Sequence, residues 1–147
     1  EVTIDKGKTN GIEKNMAVVN NNGLIGTVTK VSNHVSTVKL LSSKSLSDKI
    51  SVKINVGDTY VYGLISKYNF KKNTYTVEGI SENIEIPKGA EVVTTGMGDT
   101  FPSGLLLGHV KKISTDNFDL SKVAVVTSSV DFDNIEYVAV LKRVEKW

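Results

Sequence analysis

Short apolar runs, punctuated by Gly, Asn, Ser and Asp, recur about every 8–12 residues along this 147-residue chain, and that rhythm leaves few folds open. The clearest run is residues 50–56. Ile50, Val52, Ile54 and Val56 alternate there with Ser51, Lys53 and Asn55. A period of two sends one set of side chains to a buried face and the other to water. Further strands are expected at residues 2–4, 16–19, 24–31, 35–41, 60–68, 74–80, 92–95, 105–113, 123–126 and 135–141, with a polar hairpin turn at 69–73. Helical spacing is nearly absent, which argues against a parallel sheet with alternating helices. Strands at this interval make sandwiches or barrels, and closure removes unpaired edges. The expected fold is all-β, with two small antiparallel β-barrels packed together.

An internal repeat supports two units. Residues 12–19 (IEKNMAVV) align with 86–93 (IPKGAEVV), and 24–28 (LIGTV) with 106–110 (LLGHV). The matched glycines, Gly26 and Gly108, are expected to mark the same bulge or bend. More weakly, 48–52 (DKISV) align with 133–137 (DNIEY). The boundary is expected between residues 57 and 73, giving a first barrel over 1–70 and a second over 71–147. In the alternative, the C-terminal strand 135–141 returns to the first barrel, which is then discontinuous.

The second copy of the repeat carries a longer loop. Around it run the β-branched residues 92–95, then Gly96, Gly98, Phe101, Pro102 and Gly104, then the apolar run that includes Gly108. Pro102 is one of only two prolines in the chain. Glycine admits positive φ or close backbone approach and proline fixes φ, so this reads as strand, shaped loop, strand. Met97, Phe101 and Leu105, with Phe118 and Phe132, are expected either to pack between the barrels or to face a partner. Full burial of Phe101 would make Phe101→Ala destabilising by about 3–5 kcal/mol.

Chemistry is sparse. There is no cysteine, which removes disulfides and thiolate catalysis; the net charge of +2 does not by itself imply a nucleic-acid partner. His34 and His109 are the only histidines and neither sits in a ligand cluster, so no metal site is expected, and Gly96-Met97-Gly98 is too short to cradle phosphate, so no cofactor is expected. Two barrels in a chymotrypsin-like arrangement would need His34, then Asp48 or Asp58, then Ser103. In the corresponding loop Thr100 stands in the nucleophile's place, and Phe101 and Pro102 replace the glycine of an oxyanion hole. An OB-like nucleic-acid binder is the other alternative: Tyr60, Tyr62 and Tyr68 fall at even spacing on one expected strand, with Lys71-Lys72, Lys111-Lys112 and Lys142-Arg143 as basic pairs.

Thr94-Thr95-Gly96, Gly98, Phe101-Pro102-Ser103-Gly104 and Gly108-His109-Val110 together resemble the signature of the MreC family of bacterial rod-shape-determining proteins. The opening of the chain is similar to the same family at Asn10-Gly11-Ile12, Met16-Ala17-Val18-Val19 and Gly23-Leu24-Ile25-Gly26 with Val28. The resemblance implies two small β-barrels and a non-catalytic scaffold of lateral cell-wall growth on the outer face of the bacterial plasma membrane. It implies as partners a class B penicillin-binding protein, MreD and, indirectly, MreB, with self-association of the full-length protein and no nucleic acid. Gly26, Gly96, Gly98, Phe101, Pro102, Gly104 and Gly108 would shape the contact between units or with a partner. The chain begins at Glu1, not methionine, and is expected to be part of a longer protein whose membrane anchor lies outside it.

Overall fold

The computed structural model describes residues 1–43, 50–80, 84–97, 101–115 and 122–141. The strands among them are β1 (Val2–Ile4), β2 (Ala17–Asn20), β3 (Gly23–Val31), β4 (Ser36–Leu40), β5 (Ile50–Val56), β6 (Thr59–Asn69), β7 (Thr74–Ile80), β8 (Glu91–Thr94), β9 (Leu106–Thr115), β10 (Lys122–Ser128) and β11 (Ala139–Leu141), with one 3₁₀ turn at Lys8–Asn10. All pairings are antiparallel. They form a closed barrel in the order β10-β7-β6-β5-β8-β9 and a curled five-stranded sheet in the order β1-β4-β3-β2-β11.

The repeat is present in three dimensions down to its irregularities. Gly26 pairs with Val18 beside a register shift between Val18 and Val19; Gly108 pairs with Val92 beside the same shift between Val92 and Val93. A Cβ on Gly26 would overlap the Lys39 carbonyl oxygen, and one on Gly108 would overlap that of Thr127. Both positions therefore require glycine for close backbone approach. A second pair of shifts, at Val28/Lys30 and at Val125/Val126, also coincides. Asn15 (φ 70°) and Gly89 (φ 90°) take the same left-handed turn before β2 and β8. Their amides donate to Val28 O and Val110 O, both at 2.8 Å.

By this correspondence β1, β2, β3 and β4 match β7, β8, β9 and β10. The fifth strands are exchanged. β5, which follows β4 in the chain, pairs with β8 of the barrel; β11, which follows β10, pairs with β2 of the sheet. β6 has no counterpart among the described residues, and it closes the barrel by joining β5 to β7. The pairing thus does not follow a division at residue 70: β5 and β6 belong to the barrel, because β5 is hydrogen-bonded on both sides there.

Two apolar clusters fill the fold. Tyr75, Ile54, Ile65, Ile80 and Leu107 lie in the barrel; Val18, Ile25, Val28 and Val38 lie under the sheet. Adjacent residues divide between them at the joint, where Ala17 and Leu24 reach the barrel cluster while Val18 and Ile25 reach the other. Residues expected as one strand over 135–141 pair only from Ala139. Before it, the Asp131 carboxylate accepts from Asp133 N (3.1 Å) and the Asp131 carbonyl accepts from Asn134 N (3.2 Å), so the chain turns. Val130, Phe132, Ile135 and Val138 then pack on the sheet cluster as a cover.

Candidate functional site

Thr94 holds the neck of the long loop. It is 1% exposed; its hydroxyl donates to Pro102 O (2.6 Å) and accepts from Leu105 N (3.0 Å). Its amide donates to Leu105 O at 2.9 Å, and its carbonyl accepts from Gly104 N at 2.8 Å. At the matching place in the sheet, Asn20 caps a tight turn by accepting from Asn22 N (2.8 Å) and Gly23 N (3.1 Å). Local side-chain bonds of this type stand in for strand pairing where the chain reverses.

Inside the loop, Gly96 (φ 80°) leaves room for Ser103, whose Cβ would lie 3.0 Å from an added methyl, and Gly104 has φ 87°. Pro102 is exposed. Phe101 and Leu105 are partly buried against the cluster that holds Ala17, Leu24 and Leu41 as well as the barrel core. The cost expected for a fully buried Phe101 therefore does not apply. Met97 points to solvent, 62% exposed. Gly98 and Phe118 lie outside the described residues. Gly26 and Gly108 stand apart from the loop, at the bulges of β3 and β9.

A second contact ties the loop to the barrel wall, and sequence reading did not find it. The Thr95 hydroxyl bonds Ser51 Oγ at 3.0 Å and accepts from Met97 N at 3.0 Å, while Thr95 N donates to Ser51 O at 3.3 Å. Ser51 faces outward on β5 and pairs with Leu64 of β6. Leu64, Tyr62 and Tyr60 are 39%, 48% and 41% exposed, and Lys53 Nζ lies 4.5 Å over the Tyr60 ring. The alternation of β5 and β6 was the available signal for this outer face.

The joint between barrel and sheet is polar and aromatic. Asn73 (φ 53°) donates from Nδ2 to Val130 O at 2.9 Å and accepts from Tyr68 Oη at 2.5 Å. The Tyr68 ring meets Tyr75 at 5.2 Å and Phe132 edge-on at 5.6 Å. Burial, with the carboxylates of Asp133 and Asp131, raises the Tyr68 pKa. The three tyrosines expected on one face of β6 are accordingly divided. A register shift between Ile65 and Lys67 inverts the alternation, so Tyr68 turns into the joint while Tyr60 and Tyr62 stay outside.

The protease arrangement does not assemble. His34 lies in the β3–β4 turn, 3.5 Å from Thr9 Oγ1, whereas Ser103 packs against Gly96 of the barrel loop and Asp58 is exposed in the β5–β6 turn. Asp48 is outside the described residues. His109 is exposed on β9 while Val110 is buried. Among the described residues no three of His, Asp and Glu gather as metal ligands, and no helix is long and apolar enough to cross a membrane.

The family described as rod shape-determining protein MreC, barrel core, matches residues 1–142 through its sequence model. The chain belongs to the MreC family. The cell shape-determining protein MreC of Listeria monocytogenes is 34% identical over 143 residues, covering 97% of this chain and 48% of that protein. This chain therefore spans about half the length of the curated relatives it matches. The solved Listeria MreC superposes with a TM-score of 0.89 over 97% of this chain and 67% of that one. The major periplasmic domain of the cell shape-determining filament MreC, in its orthorhombic form, is 33% identical, with a TM-score of 0.74 over 88% of this chain and 77% of that one. A similar chain also occurs in the complex between penicillin-binding protein PBP2 and MreC from Helicobacter pylori, 28% identical, with a TM-score of 0.60 over 82% of this chain and 73% of that one.

Proposed function

We propose that this chain is a non-catalytic scaffold of the cell-wall elongation machinery, which helps set bacterial cell shape by binding and positioning a class B penicillin-binding protein. The observation that carries the reading is the Helicobacter complex, in which a relative of the same fold is held with a penicillin-binding protein. The placement of His34 in the β3–β4 turn and Ser103 in the barrel loop adds support, because the protease alternative needs the two side by side. On the same reading the chain works at the outer face of the plasma membrane, supported by the periplasmic origin of a similar domain. The full-length protein self-associates and connects to MreD and, through the membrane, to MreB. A scaffold of this kind acts by surface complementarity, with the barrel and sheet held rigidly enough to present one face.

The test is binding of the purified chain to the ectodomain of a class B penicillin-binding protein from the same organism, with an active-site serine probe applied to the chain alone. Saturable binding without labelling is expected. Labelling of a single serine together with absent binding would overturn the scaffold.

A further inference from the structure

We infer that the partner docks face-on against the outer surface of β6 and the adjoining Met97, through Tyr60, Tyr62, Leu64 and Met97. The inference rests on the scaffold reading and adds to it the surface and the chemistry of the partner.

Three observations converge there. Tyr60, Tyr62 and Leu64 alternate on the water-facing side of one strand, each more than a third exposed, and form a contiguous apolar stripe. Such stripes on a soluble fold mark interaction sites, and tyrosine supplies large contact area with little rotamer entropy to lose. The stripe is prolonged by the loop: Leu64 pairs with Ser51, Ser51 bonds Thr95, and Thr95 holds the amide of exposed Met97. The described entry to the loop, Thr95 to Met97, is thereby tied to the stripe. Finally, among the described residues the sheet has no strand equivalent to β6, and the stripe belongs to the barrel.

The geometry also restricts the mode of docking. At Tyr60 and Tyr62 the strand is paired with Asn55 and Lys53 of β5, and its pairing with β7 begins at Leu64; along the stripe it is the outward side chains that meet the partner. Charge narrows the chemistry further. Lys53 lies over the Tyr60 ring, and exposed Lys67, Lys71 and Lys72 follow along the strand and its turn; Glu78, paired with Leu64, and Asp58 are the nearby acids. A complementary occupant is a penicillin-binding protein surface with an apolar centre and carboxylates at its rim.

The experiment measures affinity for the penicillin-binding protein ectodomain with wild-type chain, the double variant Tyr60→Ala/Tyr62→Ala, Lys53→Glu, and Tyr137→Ala as a control on the sheet side, where Tyr137 is 84% exposed. The double variant is expected to weaken binding at least tenfold while its melt is unchanged. Lys53→Glu should weaken binding most at low salt, and Tyr137→Ala should match wild type. Wild-type affinity in the double variant and in Lys53→Glu would overturn the docking face and leave the scaffold standing. No binding by the wild-type chain would overturn the scaffold reading and the docking face together.

Discussion

The closed barrel and the curled sheet share a five-strand plan, and β6 is what separates them. In the barrel, β6 bridges β5 and β7 and leaves no edge. In the sheet, among the described residues, the equivalents of those two strands, β11 and β1, are outermost, and the segment bearing Val130, Phe132, Ile135 and Val138 covers the core without pairing as a strand. One unit satisfies its backbone by closure; the other shields its side chains with a cover. The exposed aromatic stripe lies on the strand that makes the difference. Closure therefore leaves a wall of the barrel for recognition, since a strand held inside a closed sheet can carry apolar side chains outward.

The exchange of fifth strands gives the strongest way to break this comparison. If the two units were independent, residues 1–70 and 71–147 would each fold. The pairing says otherwise, because a fragment of 71–147 lacks β5 and β6, and a fragment of 1–70 lacks β11. Ile50, Val52 and Ile54 on β5 are buried in the barrel. Each is worth about 1.5–3 kcal/mol of burial, and together they rival the about 5–15 kcal/mol by which a typical domain is stable. Separately produced fragments are expected to be unfolded by circular dichroism and to regain β structure on mixing. A cooperative melt from either fragment alone would show that the exchange is dispensable.

The paired glycines sharpen the comparison at a single atom. Gly26→Ala and Gly108→Ala place the same methyl against a carbonyl oxygen in the two units. Near Gly26 the neighbouring β4 is followed by the outermost strand β1, which is free to shift. Near Gly108 the neighbouring β10 is locked through β7 into a closed ladder. Overpacking is therefore expected to cost about 3 kcal/mol at Gly108 and about 1–2 kcal/mol at Gly26. Denaturant titration of the two variants reads the difference. Equal losses would mean that closure does not stiffen the barrel.

The parts of this fold legible in the sequence were those encoded by local alternation and local turn chemistry. β5 and the β6–β7 hairpin fall where the period of two places them, and the Gly26/Gly108 match marks a shared bulge. What the sequence concealed was long-range. Similarity between two segments says that they have like conformations, not which sheet each one joins, so the fifth-strand exchange had no local signal. The weak match of 48–52 to 133–137 is also displaced by one residue: it sets Ile54 against Ala139, whereas the pairings Lys53–Val93 and Ala139–Val19 set Lys53 there. A slip of one reverses every face. The same effect hid the outer stripe, because even spacing grouped Tyr68 with Tyr60 and Tyr62 until the bulge at Ile65/Lys67 turned it inward. Of the loop residues, Phe101 and Leu105 are partly buried against the cluster that also holds Ala17 and Leu24. The Thr95–Ser51 tie joins residues 44 positions apart and required the fold.

Tyr75 supplies the finest contrast. Its counterpart in the sheet is Val2: Val2 pairs with Val38, and Tyr75 with the equivalent Val126. The barrel thus buries a phenol where the sheet has a partly buried hydrocarbon. The Tyr75 hydroxyl has no hydrogen-bond partner within bonding geometry; the nearby Ser128 hydroxyl donates to Val130 O and accepts from Val130 N, both at 3.1 Å, and acts on Tyr75 only as a neighbouring dipole. Burial drives its pKa well above the ordinary phenol value; Ser128 opposes this in part, and Tyr68 adds slightly to the rise. In the unfolded chain the group ionises near pH 10. Its contribution to stability is accordingly complete below about pH 10 and is lost as pH climbs toward the folded-state value. Removing an unpaired buried hydroxyl should be close to neutral, so Tyr75→Phe is expected to lie within about 1 kcal/mol of wild type at pH 7. Above pH 10 its stability should fall less steeply, with a residual slope from Tyr68. Urea titrations at pH 7 and pH 10.5 measure both limbs. A large loss at pH 7 would show that the barrel uses the hydroxyl, and that its core differs from the sheet's in kind and not only in closure.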